Sequence, residues 1–392
     1  MNHPPDLPTP EPAALALSEQ LAAVLREEIR AAGGAIAFAR YMEQCLYAPG
    51  LGYYSAGQRK FGAGGDFVTA PELTSLFGRS LAQSCASVLD ALGGGDILEF
   101  GAGSGRLALD LLTELETRSA LPQRYLILER SADLRQRQQV LLRERLPQLY
   151  ERVVWLERLP ENAISGVMLG NEVLDAMAVE RFRWNGIEPE QYCVTESGDS
   201  FGWLTRPFPD ALTAGIAARI VAEQQLPDNY VSEFNAGLYG WLGSVADSLH
   251  SGLILLIDYG YPRHEYYHAQ RSSGTLLCHY RQRAYDDPLR WPGLQDITAH
   301  VDFTAVAEAA VGAGLAVSGY ATQAHFLLDC GIDRLLQDAG PGGGVDYLRL
   351  AQQAKTLLLP GEMGERFQCI GLTRDLDFDI PGFRMQDLRH RL

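Results

Sequence analysis

The residues best suited to chemistry begin at Glu99, where Glu99-Phe-Gly-Ala-Gly-Ser-Gly105 stands between an apolar run and a helical pattern that opens at Arg106. Glycines there let the backbone turn sharply and approach a ligand with no Cβ in the way. A helix start after Gly105 adds unpaired N–H groups suited to a carboxylate. A dinucleotide fingerprint requires G-x-G-x-x-G, and counted from Gly101 the third glycine's place is Arg106, which disfavours a nicotinamide cofactor. Tyr125-Leu-Ile-Leu-Glu129 ends in an acid that a βαβ unit sets beside the turn. A carboxylate in that place can accept both ribose hydroxyls of a nucleoside. Alone, the turn reads equally as a structural strand-to-helix connection and Glu129 as a solvated acid; the pair argues for a nucleoside site.

A second constellation is Gly170-Asn-Glu-Val-Leu-Asp175, where an apolar strand leaves the core. Read functionally, Glu172 faces a substrate and holds a cationic or polar acceptor. Read structurally, Asn171 and Asp175 are turn or capping residues and Glu172 is solvated. His300 and Asp302 divide evenly between lining an acceptor pocket and structural bonding, as Tyr259 and Tyr261 do between walling it and packing. His264 and His268 are four apart, but no third ligand is evident and no metal is expected.

These residues need a scaffold. Helical spacing of apolar residues runs from about Ala13 to Tyr47, broken at Gly33-Gly34. Thr69-Ala-Pro-Glu72 reads as a capping box that opens a helix with Leu76, Phe77, Leu81, Cys85, Val88 and Leu89 on one face. Short apolar strands then alternate with helices: Ile97–Phe100, helix 106–116, Tyr125–Leu128, helix 132–145, Val153–Leu156, Val167–Leu169 and Leu253–Ile257. That rhythm calls for a parallel sheet, and Leu315–Val317 and Phe367–Leu372 would bring it to seven strands. The stretch 179–251 interrupts the rhythm with a hairpin at Asn185-Gly186 and a helix from Leu238. The expected division is a disordered lead-in at 1–12, a helical extension at 13–92, a core at 93–178 and 252–392, and an inserted cap at 179–251 lying over one end of the sheet.

Composition excludes several classes. A net charge of −16 over 392 residues argues against nonspecific nucleic-acid binding. The arginines between 135 and 145 fit the solvated side of a helix. No apolar run approaches the roughly 20 residues of a membrane span. Six scattered cysteines fit reduced, mostly buried thiols. The proline-rich start has neither a signal-peptide nor a presequence pattern, so a cytoplasmic protein is expected.

The E-x-G-x-G-x-G spacing resembles motif I of class I S-adenosylmethionine (SAM) methyltransferases. Five segments look like the MidA-like family of these enzymes, which includes a mitochondrial complex I assembly factor acting on an arginine. They are Gly65–Gly78, the turn at 97–105, Gly170–Ala176, Leu256–Tyr261 and Asp296–Phe303. The resemblance implies a Rossmann-like α/β fold with SAM held by Gly101, Ala102, Gly103, Gly105 and Glu129, with Asp66 and Asn171 nearby. It points to Glu172, Asp175 and His300 as catalytic residues, and to a protein arginine as acceptor, with a respiratory complex I subunit as partner. The guanidinium is protonated at physiological pH. A carboxylate such as Glu172 binding it in a fork would localise charge away from the attacking nitrogen. A small-molecule methyltransferase and a non-catalytic assembly chaperone that keeps the fold are the alternatives.

Overall fold

The computed structural model describes residues 7–55, 69–340 and 344–392. By contacts the chain divides into two compact units. One comprises Met1–Phe67, Asp175–Leu238 and Tyr261–Asp302; the other comprises Val68–Leu174, Tyr239–Gly260 and Phe303–Leu392.

The second unit carries the α/β sheet. Its strands are β1 (Asp96–Phe100), β2 (Tyr125–Leu128), β3 (Val153–Leu156), β4 (Ile164–Asn171), β5 (Leu249–Tyr261), β6 (Ala316–Thr322) and β7 (Phe367–Arg374). The path of the sheet is β6-β7-β5-β4-β1-β2-β3, with the order reversing beside β1 as doubly wound sheets require at a ligand site. β1 to β5 pair in parallel, and β7 runs antiparallel between β5 and β6. Register brings the carboxyl ends level: Phe100 faces Leu128 and Gly170, Leu128 faces Leu156, and Asn171 faces Ile257. The Rossmann-like seven-strand path expected from the sequence is therefore present.

Three helices matter for the site: α1 (Ser75–Ala91), α2 (Arg106–Thr117) and α3 (Ala132–Arg145). Leu76, Phe77, Leu81, Cys85, Val88 and Leu89 of α1 are buried in one core cluster with Ile97, Leu111 and Val167. Each such side chain contributes roughly 1.5–3 kcal/mol by leaving water, which is why α1 belongs with the sheet although the sequence alone grouped it with residues 13–92. The expected capping box is absent. Ala70–Leu73 is a single helical turn whose N-cap Thr69 makes no side-chain capping bond, and Thr74, in extended conformation, caps α1 by accepting from Leu76 N at 3.3 Å.

The first unit contains the helices Pro12–Ala31 and Phe38–Tyr47 and two antiparallel sheets. The larger includes Glu180–Trp184 and Pro189–Ser197, the arms of the hairpin expected at Asn185-Gly186, and Tyr230–Phe234. That last strand has no apolar signature because Ser232 and Glu233 occupy fully buried positions in it. Of the expected disordered lead-in, residues 1–6 lie outside the described residues, while Leu7 is buried among the apolar residues of this unit and the helix opens at Pro12. The chain passes from β4 to β5 through 172–248.

All six cysteines are buried and none is in a disulfide. Among the described residues no helix is long and apolar enough to cross a membrane, and no group of His, Cys, Asp and Glu is arranged to hold a metal ion.

Candidate cofactor and acceptor site

β1 delivers the chain to the glycine turn at the carboxyl edge of the sheet. Gly101 and Gly103 have φ of 60° and 53°, and Gly105 reaches 86° as the left-handed N-cap of α2. Side chains other than glycine adopt this region at a cost. A Cβ built on Gly101 would meet nothing within 4 Å, so the turn leaves open space along its exposed face. Gly101 N donates to Leu128 O at 3.0 Å and Glu129 N donates to Leu156 O at 3.2 Å, which continues the strand register into the loops. Ala102 is buried.

Glu129 is buried at the end of β2, and both its oxygens are held. Oε1 accepts from Ser131 N at 2.9 Å and Oε2 from Gln138 Nε2 at 3.1 Å. Burial raises its pKa, and these hydrogen bonds oppose the rise. Gln138 also donates to Gly103 O at 2.9 Å and accepts from Trp155 Nε1 at 3.0 Å. On the other side of the turn, Ser104 Oγ donates to Glu72 and accepts from Arg106 N. The acid expected to cap a helix therefore braces the glycine turn instead.

Glu99 lies beneath the turn, buried, accepting from Tyr125 OH at 2.7 Å. Burial pushes its pKa from 4.5 to about 7, against the Tyr125 hydrogen bond, with the charge of Glu129 adding to the rise. Between these two values the folded state keeps a proton that the unfolded chain has lost. Stability therefore falls as pH rises through that window, and the full penalty is present above it. Glu99→Gln, which keeps an acceptor for Tyr125, should flatten the dependence of the ligand-free Tm between about pH 5 and pH 8 and raise it at the alkaline end. The effect is at most about 3 kcal/mol, and melting curves across that range would show it; an unchanged slope would count against an ionising Glu99.

At the end of β4, Asn171 Nδ2 donates to Glu172 Oε1 at 3.0 Å, and Asn171 Oδ1 is a buried acceptor with no donor among the described residues. Glu172 has φ of 53°, a conformation that costs roughly 1–3 kcal/mol in a residue with a side chain. Its N–H donates to Ile257 O at 2.9 Å, which ties the strained residue to β5. Asp258, buried in β5, accepts from Leu174 N and Tyr259 N at 2.9 Å each, so it clamps the loop after Glu172. Strain held by neighbouring hydrogen bonds is a mark of functional positions.

The other expected residues are placed differently. Asp175 and His300 belong to the first unit, where Asp175 O accepts from Ala299 N at 3.1 Å. The His300 ring stacks on Tyr261 at 5.4 Å, and its backbone N donates to Thr275 Oγ1. Asp302 is ion-paired with Arg263 at 3.0 Å, and Tyr259 packs edge-on against Phe367. His264 is exposed beside Glu265, while His268 caps a short turn by accepting from Gln270 N. Asp66 lies outside the described residues.

Sequence reasoning missed Gln138, Trp155, Ser104 and the site role of Glu72. Gln138 had a signal: with Leu134 and Leu142 it completes the buried i, i+4, i+8 stripe of α3, a place where a polar residue calls for partners.

Residues 80–321 match the family described as "Putative S-adenosyl-L-methionine-dependent methyltransferase". The chain belongs to this family. It is the MidA-like family expected from the motifs, and the chain is a SAM-dependent methyltransferase. A Burkholderia thailandensis protein whose crystal structure holds S-adenosyl-homocysteine is 45% identical, matching 99% of this chain and 100% of that one with a TM-score of 0.95. The "Protein arginine methyltransferase NDUFAF7 homolog, mitochondrial" of Caenorhabditis elegans is 27% identical over 401 residues, 94% of this chain and 88% of that protein. The Danio rerio "Protein arginine methyltransferase NDUFAF7, mitochondrial" is 27% identical over 369 residues, 86% of this chain and 83% of its own length. The glycine turn, with open space at Gly101, and the buried carboxylate of Glu129 beside it are of the kinds a nucleoside cofactor needs.

Proposed function

We propose that this methyltransferase modifies an arginine side chain of a protein, with a respiratory complex I subunit as its partner and the cytoplasm as its location. Gly101, Ala102, Gly103, Gly105 and Glu129 are the proposed cofactor contacts, with Asp66 and Asn171 beside them. The cofactor supplies, when bound, a methyl group made electrophilic by its positively charged sulfur. The protein's part is to hold the acceptor nitrogen in line and to manage its charge. Glu172 is the proposed acceptor clamp. A carboxylate can bind one edge of a guanidinium through two parallel hydrogen bonds, which draws positive charge toward that edge. The nitrogen at the other edge then gains lone-pair character for attack and loses its proton during or after transfer. Asp175 and His300 are proposed to act on the acceptor side as well.

The observation that carries this reading is Glu172 itself, a carboxylate at the end of β4 on a strained left-handed backbone. The arginine methyltransferase names of the relatives support it. The test is mass spectrometry of arginine-containing peptides from cells with and without the protein, followed by transfer from labelled SAM to the candidate subunit in vitro. A methylarginine that disappears with the protein is the expected result. Label appearing only on small molecules would replace the protein-arginine reading while leaving the methyltransferase intact.

A further inference from the structure

The chemistry of its partners fixes the orientation of the Gln138 amide. Trp155 Nε1 can only donate, so the amide oxygen must face it; Gly103 O and Glu129 Oε2 accept, so the amide nitrogen must face them. Gln138 is fully buried, so each lost partner would leave a polar group without water to replace it. One side chain thus joins the glycine turn after β1, the acid after β2 and the indole of β3. The fit is tight: a Cβ built on Gly105 would stand 3.3 Å from Gln138 Cγ.

We propose that Gln138 is a positioning residue for the cofactor's ribose, acting through Glu129. This rests on the reading of Glu129 as the ribose acceptor. With Ser131 N on one oxygen and Gln138 on the other, the carboxylate cannot rotate, and it presents its remaining lone pairs in one direction before any ligand arrives. The same amide nitrogen holds Gly103 O, so the turn that lines the cofactor and the acid that grips its ribose are set at a constant separation. Preorganisation of this kind raises affinity by lowering the ordering cost of binding.

The test compares S-adenosylhomocysteine with its 2′-deoxyribose analogue in calorimetric titrations of the full chain at about pH 8, a pH at which free carboxyls are ionised. The parent should prefer the ribose form. Gln138→Met removes every polar contact, whereas Gln138→Glu keeps an acceptor for Trp155 and loses the donors to Glu129 and Gly103. Both variants should lose about tenfold of that preference, the size expected for one buried hydrogen bond to a charged group. Equal weakening toward both ligands, with the preference intact, would mean that Gln138 merely supports the fold, and the proposal would be overturned. Glu129→Ala serves as the control. If it keeps the parent's preference, the ribose reading of Glu129 fails and this proposal falls with it. If it loses the preference while Gln138→Met retains it, only the role of Gln138 is rejected.

Discussion

Gly103→Val is expected to lower the affinity for S-adenosylhomocysteine by about a hundredfold or more, equivalent to roughly 3 kcal/mol. Two effects add. Gly103 sits at φ 53°, where a β-branched residue is strained, so the turn must open. Opening it moves Gly103 O away from Gln138 Nε2, now 2.9 Å distant, and slackens the link to Glu129. On the cofactor placement proposed above, the valine side chain also takes space that the methionine part needs. The substitution lies in a loop at the edge of the sheet, so the buried cluster around Ile97, Leu111 and Val167 should remain. Calorimetric titration beside a urea melt separates the two outcomes. A stable protein with unchanged affinity would mean that the glycine turn is not the cofactor cradle.

Glu172→Gln is expected to do the reverse: cofactor affinity within about twofold of the parent, and turnover on an arginine acceptor down about a hundredfold. Glutamine preserves the shape of the side chain but cannot pair ionically with a guanidinium. The backbone bond from Glu172 N to Ile257 O does not involve the side chain, so the local fold should persist. Asp258 is poorly placed to take over, since its two oxygens already hold Leu174 N and Tyr259 N. Single-turnover transfer from labelled SAM, with a binding titration on the same sample, gives the answer. A variant that methylates as fast as the parent would remove Glu172 from the acceptor role. Loss of cofactor binding would instead make Glu172 part of the cofactor site.

Much of the sheet was legible in the linear chain. Tyr125–Leu128 and Val153–Leu156 coincide with the apolar runs, and the helix at 132–145 was also placed correctly. Tyr125–Leu128 is legible because a strand buried on both faces concentrates apolar residues over a short span, whereas Val153–Leu156, at the end of the sheet path, keeps an apolar run with only Val153 fully buried. The longer strands were recognised only at their apolar centres: Leu253–Ile257 is the middle of Leu249–Tyr261, whose ends carry polar and aromatic residues. The strand Tyr230–Phe234 was lost because Ser232 and Glu233, which point to its opposite faces, are both fully buried, and buried polar residues mask the alternation.

Local chemistry was thus open to inference from the sequence. Glycines crowded at a strand end prescribe a turn with positive φ, an acid after the next parallel strand must emerge near it, and the net charge weighs against nucleic acid; none of these depends on distant partners. Tertiary structure alone decided which residues hold that arrangement in place. Glu72 and Ser104 are 32 positions apart, as Gln138 is 35 from Gly103, and in both pairs a side chain reaches across the fold to the glycine turn. Nothing in the spacing of either pair foretells the bond. The left-handed φ of Glu172 is likewise not written in the local sequence, and the residue that has it is bonded through its N–H to Ile257 O on the neighbouring strand. Helix and strand periodicity follow from the short-range geometry of the backbone, so they are written locally, whereas the partner of a buried polar group is set by which surfaces packing brings together.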